Sequence, residues 1–181
     1  MENIVYTKEL VKTIVEESRL NADPESNRPL YDLIRSTQLV LQHKQPESIP
    51  SETLICLEDQ LAQHSHSYAA RHYRGELLEY EASRIIRARD VFELDRVERL
   101  IQNLGEYRTL RAFETRQELS NLWDIVQEAR IHATGKTEFE GARVVEVLKA
   151  LKPYVPLSSE ISGVRQKLSN YLCQKDPFYF D

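Results

Sequence analysis

Apolar residues in this chain recur at steps of three and four, segment after segment, without a sustained alternation in steps of two. That rhythm constrains the fold more than any other feature. Residues three and four apart share one face of an α-helix, whereas a strand turns its faces over every second residue. The clearest stripe is Leu119, Leu122, Trp123 and Val126. Similar stripes run through Leu10, Val11, Ile14 and Val15; Leu30, Leu33, Ile34, Val40 and Leu41; and Leu54, Leu57 and Leu61. Tyr73, Leu77, Tyr80 and Ile85 continue the pattern, as do Leu94, Val97, Ile101 and Leu104. Two more follow, on Val144, Val147, Leu148 and Leu151, and on Ile161, Val164, Leu168 and Leu172. Only 5 of the 181 residues are glycine, too few for an all-β fold with many tight turns. The pattern predicts an all-α, single-domain helical bundle of about seven helices over 1–181, with long central helices across roughly 52–133. The region 135–181 is able to dock as a C-terminal helical pair with an aromatic tail.

Stop and start signals set the expected boundaries. Asn27 and Pro29 suit the start of one helix, Pro46 and Pro50 bracket a loop, and Ser51 is placed to cap the next helix. No proline interrupts residues 64–90. Asp90 with Glu93 has the spacing of a capping box, and so has Thr137 with Glu140. Gly105 and Gly135 fit left-handed helix ends, with a long helix between about Tyr107 and Ala133. Pro153 and Pro156 close a helix, and Ser158 or Ser159 caps the last one.

Apolar residues at 41% and charged residues at 29% describe a globular chain rather than a disordered one. Cys56 and Cys173 match no metal spacing and are expected to be buried free thiols in a reducing cytosol. The opening Met1-Glu2-Asn3-Ile4-Val5 lacks a basic stretch followed by an apolar run, and no apolar run approaches a membrane span. The expected setting is cytoplasmic, with no membrane partner.

Charge supplies the first candidate site. No lysine lies between Lys44 and Lys136, yet the gap holds eleven arginines. Arginine pairs two-point with carboxylates and phosphates, so the bias asks what these groups face. Arg84 and Arg87, Arg96 and Arg99, and Arg108 and Arg111 stand three residues apart, the spacing of a shared helix face, as do Arg71 and Arg74. Sixteen Asp and Glu against eleven Arg between positions 45 and 135 leave the same stretch at −5, which favours ion pairing within the fold. An arginine surface for an acidic protein or for a nucleic-acid backbone remains the alternative.

Other motifs are weaker. His64, His72 and Glu76 are the candidates for a metal-assisted site, His64 and His72 two turns apart and Glu76 one turn beyond His72. Their spacing falls short of a metal motif. Gly135-Lys136-Thr137 resembles the end of a phosphate-binding loop, but Arg130 stands where that loop needs its first glycine. Phe178, Tyr179 and Phe180 follow Pro177 as a second candidate contact, folding back on the bundle or inserting in a partner.

No catalytic or cofactor motif emerges. The expected function is therefore a non-catalytic adaptor, scaffold or assembly subunit that binds another protein or a second copy of itself. Its candidate contacts are Arg84, Arg87, Arg96, Arg99, Arg108, Arg111, Phe178, Tyr179 and Phe180. The alternatives are a nucleic-acid accessory protein using the arginine face and a small metal-assisted enzyme using His64, His72 and Glu76.

Overall fold

The structure, a computed structural model, describes residues 28–42, 49–136 and 138–177. It is all-helical over those residues, with seven α-helices: α1 (Arg28–Leu41), α2 (Ser51–Gln63), α3 (Tyr68–Ile86), α4 (Leu94–Leu104), α5 (Leu110–Ala133), α6 (Gly141–Leu151) and α7 (Ser159–Lys175). A 3-10 turn, Lys152–Tyr154, joins the last two. The stripe at 10–15, the Asn27 cap, Pro46, the capping role of Thr137 and the aromatic tail at 178–180 lie outside the described residues. None of the described helices is long and apolar enough to cross a membrane.

Two compact units divide the chain at Glu81 and Ala82. In the first, α1 packs on α2, and Leu30, Leu33, Ile34, Leu54, Leu57 and Leu61 form one cluster with Tyr73 and Leu77 of α3. Polar groups pin this core. Gln38 Nε2 donates to Tyr73 Oη, which ties α1 to α3. Burial pushes the Tyr73 phenol above the usual tyrosine range, partly opposed by that bond. Glu58, only 3% exposed, accepts from Arg74 Nε at 3.3 Å and Nη2 at 3.1 Å, so a buried carboxylate of α2 is neutralised from α3. Unpairing such a group would cost several kcal/mol, of order 3–5.

In the second unit α5 is the central helix, touching α4, α6 and α7. Its buried residues Ala112, Thr115, Leu119, Leu122, Val126 and Ala129 repeat at steps of three and four. This is the stripe read from the sequence, with Trp123 half-buried at its edge. Thr109 caps α5, its Oγ1 accepting from the Ala112 N–H at 3.1 Å. Ser158 caps α7 in the same way from Ile161.

Several local expectations are corrected. Ser51 is the first residue of α2, with Pro50 at the cap position. Asp90 and Glu93 form no capping box. Asp90 pairs with Arg84, and the Leu94 N–H that opens α4 donates at 2.7 Å to Glu160, sixty-six residues away on α7. Gly105 has φ −64° and no left-handed geometry. A Cβ there would stand 3.0 Å from the Gln102 carbonyl oxygen and 3.4 Å from the Arg116 guanidinium carbon, so a larger residue would have to push these neighbours back by a few tenths of an ångström. Gly135 does adopt φ +68° and stops α5 as expected. Cys56 and Cys173 are free but exposed, not buried, because both fall on the polar sides of their helices.

Candidate functional site

The arginines of the lysine-free stretch differ in burial. Three of the four pairs spaced by three split according to how their helix is buried. Arg84 and Arg96 are buried, while Arg87 and Arg99 are exposed. Arg74 is committed to Glu58, and its neighbour Arg71 is exposed. Arg108 and Arg111 are both exposed, but Arg108 precedes α5 and Arg111 lies in its first turn.

That first turn is where the structure exposes something the charge pattern had hidden. Leu110 is 73% exposed and Phe113 62%. Residues three apart on a helix lie about 60° round from each other and one turn along, so the two side chains form one apolar spot. The core face of α5 is taken by Ala112 and Thr115, which turns Leu110 and Phe113 outward. The spot is held firmly. The Thr109 side chain accepts from Ala112 N–H, and the Thr109 carbonyl accepts from Phe113 N–H at 3.1 Å. The approach from α4 is pinned by Gly105 N–H to Gln102 O, Glu106 N–H to Asn103 O and Tyr107 N–H to Leu104 O, at 3.0–3.2 Å. Arg108 and Arg111 flank the spot. Sequence reasoning missed Leu110 and Phe113. The signal was available, since neither fits the three-and-four register that runs back from Leu119 through Thr115 to Ala112.

The histidine candidates separate into local contacts. The rings of His64 and His66 meet edge-on at 6.0 Å. His72 Nε2 lies 3.4 Å from Glu76 Oε1, and the imidazole stacks on Tyr68 at 6.5 Å. Among the described residues no three His, Cys, Asp or Glu side chains are grouped to hold a metal ion.

Two further features belong to the second unit. An open groove of about 440 Å³ runs between the end of α5 and the last turns of α7, lined by Thr134, Gly135, Lys167, Asn170, Tyr171 and Lys175 among others. Its mouth is wide and its walls largely polar, so it offers no water-free chamber for chemistry. Earlier along α5, Glu128 receives Arg143 Nε at 2.6 Å and Nη2 at 2.8 Å, and Arg143 Nη1 also reaches Glu146 at 2.9 Å. The Arg143 bonds hold the Glu128 carboxyl below its ordinary range, with burial opposing and the His132 side chain assisting.

No protein-family model matches the chain, and no curated protein or solved structure is similar to it.

Proposed function

We propose that this chain is a non-catalytic protein-interaction subunit, an adaptor, scaffold or assembly component, that receives another protein or a second copy of itself on the first turn of α5. The observation that carries the reading is the outward pair Leu110 and Phe113 on a capped helix whose opposite face is core. Single exposed apolar residues are ordinary on protein surfaces, but an adjacent leucine and phenylalanine on a rigid turn make an anchor. Covering a side chain of this size is worth about 1.5–3 kcal/mol. A small apolar anchor flanked by two arginines fits the energetic pattern of interfaces, where a few central residues dominate. Arg108 and Arg111 would form the polar rim.

A photo-crosslinking residue placed at Phe113 in cells tests this, with the exposed position Glu138 as control. A discrete adduct at 113, identified by mass spectrometry as one partner or as the chain itself, supports the reading. Crosslinking at 113 no stronger or more selective than at 138 removes it.

A further inference from the structure

We propose that the C-terminal end of α3 is a binding site for a phosphate monoester, and that Asp90 occupies it as an internal stand-in for that anion. The helix ends in a two-bond turn: Ala88 N–H donates to Ile85 O and Arg89 N–H to Arg84 O, both at 2.9 Å. Ala88 takes the left-handed conformation, φ +50°, that this motif requires. The motif brings together the side chains at the positions of its longer bond, usually two apolar groups. Here those positions are Arg84 and Arg89. Arg87, three residues after Arg84, lies on the same side of the helix end.

Their states differ in a way that points to an anion. Arg84 is 5% exposed, and its Nη2 meets Asp90 Oδ2 at 3.0 Å. Its Nε and Nη1 are buried and have no hydrogen-bond partner among the described residues. A guanidinium presents a fork of donors suited to two or more oxygens, and a single carboxylate oxygen leaves most of that fork unused. Arg87 and Arg89 are exposed and make no ion pair among the described residues. Residues 84–90 thus gather three arginines against one aspartate, in a chain whose formal charge is −5.

A helix C-terminus ordinarily repels anions through its free carbonyls. At this end the carbonyls are covered. The Ser83, Arg84 and Ile85 oxygens accept from Arg87, Arg89 and Ala88 N–H groups, and Ile86 O accepts from Tyr154 Oη at 3.0 Å. An approaching anion therefore meets guanidinium groups. The loop beyond is anchored by Phe92 N–H to Leu157 O at 3.0 Å. To displace a carboxylate the ligand must carry more charge. A phosphate monoester bears about −1.5 to −2 with three strong acceptor oxygens. A phosphodiester, with one charge, gains nothing over Asp90, which disfavours a nucleic-acid backbone.

The test follows the Arg84 Nε–H resonance in ¹H–¹⁵N spectra at constant ionic strength. The probes are inorganic phosphate, a phosphothreonine peptide and a single-stranded oligonucleotide. Inorganic phosphate is expected to move the resonance, and Asp90→Asn, which removes the competing charge, to tighten its binding by roughly tenfold. Arg89→Gln, at an exposed position, is expected to weaken it by a similar factor, and decides the matter alone if Asp90→Asn does not fold. A response to phosphate and peptide assigns the site to a phosphorylated protein segment, and a response to phosphate alone to a small phosphate-bearing molecule. A resonance unmoved by phosphate, or a shift that Arg89→Gln leaves unchanged, overturns the proposal. So does an oligonucleotide that binds at least as tightly as the monoesters.

Discussion

Two helices, α3 and α5, end in left-handed residues, one an alanine and one a glycine, and exchanging them tests how these ends are held. Ala88 has φ +50° and Gly135 φ +68°. A side chain in the left-handed region costs about 1–2 kcal/mol, and replacing alanine by glycine loosens the unfolded chain by about 0.4–1 kcal/mol. Ala88→Gly should therefore stabilise the protein by about 0.5–1 kcal/mol, the native relief exceeding the unfolded-state loss. Gly135→Ala reverses both terms and adds a contact. Its Cβ would stand 3.3 Å from Tyr171 Cε2, on a ring that is buried and packed edge-on against Phe139. A loss of about 1–2 kcal/mol is expected. The double exchange keeps the composition of the chain, so most of the unfolded-state difference cancels and the Tyr171 contact remains. Urea unfolding with unchanged slope measures all three variants, and for a chain of this size each kcal/mol moves the thermal midpoint by about 2–4 °C. A lower midpoint for Ala88→Gly would refute the argument, because the left-handed strain at the end of α3 would then be fictitious.

Glu160→Ala removes the acceptor of the Leu94 N–H and should cost about 1 kcal/mol, with Glu160→Gln costing less; hydrogen exchange should quicken at the first turn of α4 in both. The pair of Glu128 and Arg143 makes stability depend on acid. Because the folded carboxyl is held below its ordinary range, its contribution is complete above that range and is lost as pH falls through the lower folded value. Stability measured against pH in Arg143→Gln should run parallel to wild type above about pH 5 and fall less steeply below it. Equal slopes in the acid range would show that the pair does not report on folding.

What could be read from the sequence was what depends on neighbours along the chain. The stripe through Leu119, Leu122 and Val126 located the core face of α5, and the cap of α7 was legible to within one residue, Ser158 or Ser159, because a cap reaches only three residues ahead. Gly135 was legible as a stop for the same reason. The failures are tertiary. Asp90 with Glu93 has capping spacing, but Arg84 takes the aspartate and Glu160 serves the helix start in its place. A spacing of three places Arg84 and Arg87, or Arg96 and Arg99, side by side on a helix, yet which member is buried depends on the elements packed around them. Leu110 and Phe113 were not among the contacts expected from the sequence, because which side of a helix stays uncovered is decided by the elements packed on it.

The bond from Leu94 to Glu160 has a consequence for how the chain is made. A ribosome adds about 5–20 residues per second, so the acceptor for the start of α4 emerges several seconds after the helix it serves. During that interval α4 carries an open N–H and an apolar face holding Val97, Leu100 and Leu104 with no α7 to complete its end. Synthesis from the N-terminus therefore leaves the second unit waiting on its last helix, and chains halted before residue 160 should be the ones that chaperones and proteases engage.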